Sequence, residues 1–238
     1  MKTDSFLYRT ILSLLPLALL TSAQADVLID SFSTPQSAPG GATTTSVADG
    51  IGILGGERDI YDFLKLSANG AVPGQLLVAY PVGPVTGLFG GAITYDGIDH
   101  DPFSSYAGGL GVVDLTQGNV NDRFRFNITS IASTTATLLI DVWSPFHESS
   151  LKVNLPHSPG VFDLPFAWFG QGVKYPANAP VDFHNVGLID FEFVMGSGDA
   201  VVIDSVVTTV PEPSTLALVS CLSVGLLAMR RKSIGKAP

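Results

Sequence analysis

Candidate oxygen ligands are densest in one short stretch of this sequence, Asp96-Gly97-Ile98-Asp99-His100-Asp101. Calcium takes six to eight oxygen ligands, and a loop with several carboxylates supplies them readily. The stretch therefore makes Asp96, Asp99 and Asp101 candidate calcium ligands, with a second candidate region around Asp26 and Asp30. The spacing does not match an EF-hand loop, so a solvated acidic turn is the alternative interpretation. Calcium is the one cofactor that the sequence suggests.

Two tryptophans, Trp143 and Trp168, are candidates for stacking on sugar rings, because their side chains combine a flat apolar face with a polar edge. Trp143 ends a predicted strand, and Trp168 lies in a phenylalanine-rich segment that we interpret as a loop or short helix, Phe162 to Gln171. Packing at the core or at a sheet edge is therefore the alternative interpretation for both residues. Glycan contact through either of them is a hypothesis.

The sequence shows no recognisable catalytic motif. It contains no G-x-S-x-G, and its four histidines lack the i, i+4 spacing of a helical zinc site. Gly50-Ile51-Gly52-Ile53-Leu54-Gly55 matches G-x-G-x-x-G. A polar, threonine-rich stretch precedes it and a strand pattern follows it, so it predicts turn positions rather than a dinucleotide site. Hydrolysis by paired carboxylates stays open, because the sequence does not place two acids across a cleft. A non-catalytic domain is favoured.

The C-terminal segment, residues 210–238, combines three features. Pro211-Glu212-Pro213 breaks regular secondary structure, because proline lacks a backbone N–H and fixes φ. The uncharged stretch 214–229 would form a helix of about 24 Å, shorter than the roughly 30 Å hydrocarbon core of a membrane. A basic cluster follows, formed by Arg230, Arg231 and Lys232. The combination predicts transient membrane insertion with the C-terminus in the cytoplasm.

These three features, in this order, resemble the PEP-CTERM sorting signal of Gram-negative bacteria that make extracellular polysaccharide. The resemblance runs from Val210 to the C-terminus. It implies that a membrane-embedded exosortase cleaves near Pro211-Glu212-Pro213 and releases the upstream domain to the cell surface or the matrix. An ordinary C-terminal membrane anchor is the alternative.

Residues 1–25 have the three parts of a secretory signal peptide. Lys2 and Arg9 lie in a basic first region, an apolar stretch follows, and Ala23-Gln24-Ala25 is a small-x-small cleavage site. The segment predicts an N-terminal signal helix, export by the Sec machinery and a mature N-terminus at Asp26. An uncleaved N-terminal anchor is the alternative.

Residues 26–209, between the two signals, predict an all-β domain. Short β-type runs alternate with turns, and Arg123–Thr129 is the clearest run, since its strict alternation directs Phe124, Phe126 and Ile128 to one face. The pattern predicts an antiparallel two-sheet sandwich of jelly-roll type. The strand candidates are Val27–Phe32, Gly50–Leu54, Glu57–Leu66, Gln75–Tyr80, Gly91–Tyr95, Gly111–Leu115, Arg123–Thr129, Ala136–Val142, Leu151–Leu155, Leu188–Val194 and Ala200–Thr208.

Several short blocks of this domain, among them Gly55–Ile60 and Ile93–Gly97, also resemble the ectodomains of other PEP-CTERM proteins. That resemblance implies a jelly-roll ectodomain without an assigned enzymatic function, and it transfers no catalytic residue.

The negative net charge of the domain disfavours some classes of binding partner. Nineteen acidic residues and six basic ones lie between Asp26 and Val210, which disfavours binding to nucleic acid or anionic lipid. The one cysteine, Cys221, lies in the C-terminal segment, so packing rather than disulfides must stabilise the domain. We therefore expect an exported surface or matrix protein, with binding of extracellular polysaccharide as the alternative function and glycan hydrolysis as a further one.

Overall fold

The computed structural model describes residues 26–38, 44–62, 64–68, 72–80, 89–100, 109–145, 147–171 and 180–210. Within these ranges the chain forms two antiparallel β-sheets and two short 3₁₀ turns, which confirms the predicted all-β, two-sheet class. No helix in the same ranges is long and apolar enough to cross a membrane. The signal peptide, its cleavage site, the Pro-Glu-Pro motif, the C-terminal helix and the basic cluster lie outside the described residues.

The strands are numbered β1 to β14 in chain order. Their bounds are β1 Val27–Asp30, β2 Gln36–Ala38, β3 Thr44–Asp49, β4 Glu57–Asp62, β5 Lys65–Ala68, β6 Leu76–Ala79, β7 Phe89–Tyr95, β8 Arg123–Ala132, β9 Thr137–Ser144, β10 His147–Asn154, β11 Gly160–Pro165, β12 Gly170–Gln171, β13 Leu188–Met195 and β14 Ala200–Thr209. The 3₁₀ turns span Leu54–Gly56 and Phe166–Trp168.

The strand orders of the two sheets correspond except at β1 of the first sheet and β10 of the second, which have no counterparts. The first sheet has the order β11-β8-β14-β6-β5-β2, with β1 also paired to β14, and the second has the order β12-β10-β9-β13-β7-β4-β3. Strands that adjoin in the chain, such as β8 and β9 or β13 and β14, take equivalent places in the two sheets. The chain therefore steps repeatedly from one sheet to the other.

The core lies between the two sheets and follows the predicted alternation. Phe124, Phe126 and Ile128 of β8 are buried, as the strand pattern predicts. The rings of Phe126 and Phe191 lie 5.2 Å apart in an edge-to-face arrangement. Phe191 belongs to β13 of the second sheet and also contacts Tyr95 of β7. Aromatic contacts therefore join the two layers at their centre.

Two predicted strands are wrong, and glycine is the physical reason for both. The segment Gly50–Leu54 is a turn in which Gly52 has a φ of 84°, and the segment Gly111–Leu115 begins with a φ of 75° at Gly111. A left-handed backbone at these positions ends the extended conformation. The turn interpretation of the G-x-G-x-x-G stretch is confirmed by the positive φ values within it, 84° at Gly52 and 73° at Gly55.

The predicted strand Glu57–Leu66 is also wrong as a single element. It splits into β4 of the second sheet and β5 of the first, so the chain changes sheets between Asp62 and Lys65. The two parts share an alternating pattern because both contribute residues to the same core. The segment Phe162–Gln171 likewise contains more structure than the predicted loop or short helix, because β11 continues to Pro165 before the 3₁₀ turn.

Candidate functional site

One row of polar side chains crosses the outer face of the second sheet. Residues that do not enter the core project from this face, because side chains alternate along a strand. The strand register aligns Asp59 of β4, Thr94 of β7, Asp190 of β13, Asp141 of β9 and Ser150 of β10. We call these five residues the acidic row. It crosses five neighbouring strands, so successive side chains of the row are separated by the distance between adjacent strands, about 4.8 Å.

Hydrogen bonds hold parts of the acidic row in place. Thr94 Oγ1 donates to Asp190 Oδ1 at 3.0 Å, and Ser150 Oγ donates to Asp141 Oδ1. Thr94 and Asp141 are largely buried, whereas Asp190 and Ser150 are half-buried. Asp190 and Ser150 are therefore both oriented by neighbours and open to solvent.

Aromatic side chains flank the acidic row. On one side, the adjacent row contains Tyr61, whose side chain is 36% exposed, followed by Glu192 and Lys152 on other strands. On the other side, Trp143 is paired with Glu148 of β10, and only 8% of its surface is exposed. The accessible part of the outer face therefore lies toward Tyr61 rather than toward Trp143.

A second feature lies at the β4–β7 corner of this sheet, where Glu57, Asp59, Asp96 and Asp99 come together. We call these four residues the acidic corner. Oxygen atoms of Glu57, Asp59 and Asp99 lie within 4.8 Å of one another. Glu57, Asp59 and Asp96 are buried, whereas Asp99 is exposed. The corner therefore gathers several carboxylates largely away from water.

Glu57 also fixes the loop that follows β7. Its Oε2 accepts the backbone N–H of Asp99 at 2.9 Å, and its Oε1 accepts that of His100 at 3.1 Å. The His100 Nδ1 lies 3.7 Å from Glu57 Oε2 and 3.8 Å from an Asp49 oxygen. Asp49, Glu57 and His100 thus form a second group of metal-ligating type that shares Glu57 with the first.

Asp59 is the carboxylate with the least compensation in the acidic corner. It is 1% exposed, and its one polar partner among the described residues is another carboxyl, that of Asp96. Burial, then the adjacent Asp96 carboxyl, and then the charges of Glu57 and Asp99 raise the pKa of Asp59 to about 8. Desolvation and like charges both disfavour its ionised form. At neutral pH this carboxyl therefore holds a proton unless a cation replaces it.

The inner side of the same strand carries a buried ion pair. Arg58 Nη1 lies 2.7 Å from Asp30 Oδ2, and both side chains are fully buried. Tyr95 donates its hydroxyl to the same Asp30 oxygen at 2.9 Å. The other two nitrogens of the Arg58 guanidinium, Nε and Nη2, donate to Gln36 Oε1 and to the Thr34 carbonyl. This network links β1, β2, β4 and β7 inside the sandwich, where it is structural rather than accessible to a ligand.

No family model matches this sequence, and no curated protein matches it either. Solved structures of family 11 carbohydrate-binding modules are similar at a low level. The solution structure of CtCBM11 has a TM-score of 0.43 at 15% identity, over 81% of this chain and 99% of that chain. A family 11 module from Clostridium thermocellum in complex with a beta-1,3-1,4-mixed-linked tetrasaccharide has the same TM-score and identity over 80% and 99%. Likeness at this level identifies neither a family nor a ligand for this chain.

The structure brings together some of the predicted ligand residues. Asp96 and Asp99 both lie in the acidic corner, whereas Asp101 lies outside the described residues. In the second candidate region, Asp30 is engaged by Arg58, and Asp26 is exposed at the start of β1. The region around Asp26 and Asp30 therefore contributes no group of metal-ligating side chains within the described ranges.

The two tryptophans belong to different parts of the sandwich. Trp143 is on the outer face of the second sheet, and Trp168, 58% exposed, follows β11 of the first sheet. Sequence reasoning missed Glu57, Asp59, Asp141 and Asp190. The available signal was the pair Glu57 and Asp59, since two acids at i and i+2 of a strand project from the same face.

Proposed function

We propose that this chain is an exported surface or matrix protein whose jelly-roll-type domain binds a neutral polysaccharide along the acidic row, without catalysis. The observation that carries the proposal is the row itself. Its five strands, about 4.8 Å apart, give it a length of about 19 Å, which suits an extended chain of sugars. Carboxylates accept hydrogen bonds from sugar hydroxyls, and Ser and Thr hydroxyls both donate and accept.

The side chains around the row favour a neutral polymer. Asp190 and Glu192 present negative charge at accessible positions, and Lys152 is the one basic residue in the adjacent row. An acidic polysaccharide would meet repulsion over most of this face. Tyr61 offers a half-exposed ring at one end, where a sugar can stack.

Replacing Asp190 by asparagine is expected to weaken polysaccharide binding. The substitution keeps an oxygen for Thr94 but removes the charge, and a hydrogen bond to a charged group contributes about 1.5–3 kcal/mol. Affinity should therefore fall roughly tenfold to a hundredfold. The measurement is retardation of the full chain in affinity gels containing neutral and acidic polysaccharides, with mixed-linked β-glucan among the neutral ones.

Trp168→Ala is the matched control for that experiment. Trp168 is the other exposed aromatic candidate, but it lies outside the row, so its removal should leave retardation unchanged. Loss of binding in Trp168→Ala with full binding in Asp190→Asn would move the site to the first sheet and refute the proposal. Polymer length should stay constant in the same mixtures. Shortening would indicate that paired carboxylates hydrolyse the glycan.

Export and sorting complete the proposed function. We propose that the Sec machinery exports the chain, that cleavage follows Ala25, and that the segment 214–229 holds it in the inner membrane until an exosortase cuts near Pro211-Glu212-Pro213. Support comes from the order of these features in the sequence. The domain would then reach the cell surface or the extracellular matrix.

Deleting Pro211 to Pro213 tests the sorting step. The deletion removes the break that exposes an extended segment, so the domain should stay in the membrane fraction of the producing cells. Fractionation followed by immunoblotting measures this directly, and a chain with Asp204→Asn serves as the control. Unchanged release of the deletion variant would rule out processing at this motif.

A further inference from the structure

We propose that the acidic corner binds one calcium ion through the carboxylates of Glu57, Asp59 and Asp99, with Asp96 beside them. The corner shares Asp59 with the acidic row, but Asp59 is buried. The accessible contacts proposed for the polymer, Asp190 and Tyr61, lie outside the corner, so the calcium and polysaccharide proposals can be tested separately.

The separation of the oxygens fits a shared ion. Calcium binds oxygen at 2.3–2.6 Å, so two oxygens on one ion lie at most about 5 Å apart. The oxygens of Glu57, Asp59 and Asp99 lie within 4.8 Å of one another. Three carboxylates therefore already have a mutual spacing that a single calcium ion can bridge without large movement.

The burial of Asp59 independently supports a cation at the corner. A buried polar group nearly always has a hydrogen-bond partner, and a buried charge nearly always has a counter-charge. Asp59 is 1% exposed, and among the described residues only the carboxyl of Asp96, when protonated, could donate to its oxygens. The basic side chain nearest in sequence, Arg58, points to the other side of β4 and is already bound to Asp30. A cation at the corner would satisfy Asp59.

Hydrogen bonds and close backbone packing hold the loop after β7, which carries the exposed candidate ligand Asp99. Glu57 accepts hydrogen bonds from the backbone N–H groups of Asp99 and His100. An oxygen of the Asp99 carboxylate lies within 4.8 Å of oxygens of Glu57 and Asp59. At the start of this loop, Gly97 has a φ of 95°, and a Cβ there would collide with the Gly109 carbonyl. Close backbone packing thus fixes the loop at the position that the site requires.

The ligand chemistry selects calcium among the common ions. Three or four carboxylates form a hard, all-oxygen set, whereas zinc sites in proteins use nitrogen and sulfur more often. Magnesium requires near-ideal octahedral geometry at 2.0–2.1 Å, keeps several of its waters and is usually bound by only one or two carboxylates. The exposed side at Asp99 leaves room for water to complete a calcium shell.

Calcium titration of the full chain, purified in a mild non-ionic detergent with EDTA and then dialysed, tests the proposal. Isothermal titration calorimetry should give one binding site. At a calcium concentration about a hundredfold above Kd, the thermal unfolding midpoint should rise by roughly 5–10 °C. The same concentration of magnesium should give a smaller rise.

Asp59→Asn separates an ion site from a purely structural role. The variant should lose the calcium-dependent rise, while in EDTA it should be at least as stable as the wild type, because the neutral amide needs neither a proton nor a cation beside Asp96. Asp204→Asn, an exposed acid on the other sheet, should keep the full rise.

Asp99→Asn provides a second variant if Asp59→Asn does not fold. Asp99 is exposed, so its substitution should spare the fold and lower calcium affinity at least about tenfold, the loss expected for one charge-assisted ligand contact. The proposal is overturned if calcium neither binds nor shifts the unfolding midpoint, or if both variants respond to calcium as the wild type does. Either result leaves the polysaccharide assay unaffected.

Discussion

Replacing Arg58 by methionine is expected to lower the free energy of unfolding by about 3–5 kcal/mol, the range measured when one member of a buried ion pair is removed. The substitution preserves much of the side-chain volume but leaves Asp30 buried without its counter-charge. It also leaves Gln36 Oε1 and the Thr34 carbonyl without the donors they have in the wild type. Urea unfolding of the full chain, followed by tryptophan fluorescence, measures the loss.

The double variant Arg58→Met with Asp30→Asn shows where the loss comes from. If the cost is the uncompensated charge, the double variant should be more stable than the sum of the two single losses implies. Arg125→Met is the matched control, since Arg125 pairs with Asp163 on a partly exposed face and such pairs contribute about 0–1 kcal/mol. Equal losses in Arg58→Met and Arg125→Met would contradict the assigned role of the buried network.

The core strands are the part of the fold that sequence pattern predicts well. Local alternation decides which face of a strand is buried, so Phe124, Phe126 and Phe191 are assigned to the core before any partner strand is known. Strands that lack an apolar alternation are missed for the same reason. Gln36–Ala38 and Thr44–Asp49 are polar, and their pairing with β5 and β4 supplies what their own sequence does not.

The candidate sites depend on strand order, which is why sequence places them only in part. Asp59 and Asp96 meet because β4 pairs with β7, although more than thirty residues separate them. Asp190 and Asp141 become neighbours through the pairing of β13 with β9. No local pattern encodes these pairings. A density of acids on one loop identified Asp96 and Asp99, but Glu57 and Asp59 came from another strand.

Three consecutive residues of β4, Glu57-Arg58-Asp59, contribute both to the acidic corner and to the buried ion-pair network. Because side chains alternate, Arg58 points into the sandwich and the two acids point outward. The one residue that could neutralise the acidic corner from within β4 is thereby committed to Asp30 inside the core. The corner therefore has no basic side chain from β4, and a group of carboxylates without one favours binding of a divalent cation.

A calcium-free chain is expected to lose stability as the pH rises from about 4 to about 8, through Asp59. The pKa of Asp59 is raised to about 8 in the folded state, against an ordinary value of 3.8 for an aspartate. Between these two values the folded chain keeps a proton that the unfolded chain has released, so stability falls by up to about 1.4 kcal/mol per pH unit. Below about pH 4 and above about pH 8 this group contributes no further slope.

The neighbours of Asp59 account for the sign of this effect. Glu57 on the same strand, Asp96 at the end of β7 and Asp99 on the following loop all face it with negative charge. The His100 ring lies 3.7 Å from Glu57 Oε2 and 3.8 Å from an Asp49 oxygen, so these two residues adjoin the corner at Glu57. Burial adds to the repulsion, and within the described ranges Asp59 has no basic partner.

Thermal unfolding of the wild type and of Asp59→Asn, in EDTA from pH 4 to pH 9, measures the contribution. Other carboxyls titrate in both proteins. Asp30, whose pKa burial raises against the opposing charge of Arg58, adds a slope of the same sign, while Asp163, whose pKa Arg125 lowers, adds one of the opposite sign at acid pH. The difference between the two curves cancels the contributions of these other carboxyls.

The stability of Asp59→Asn relative to the wild type should increase steadily up to about pH 8. Saturating calcium should remove that increase, because the ion takes the place of the proton. Parallel curves would show that Asp59 ionises normally and that the corner carries no excess of negative charge.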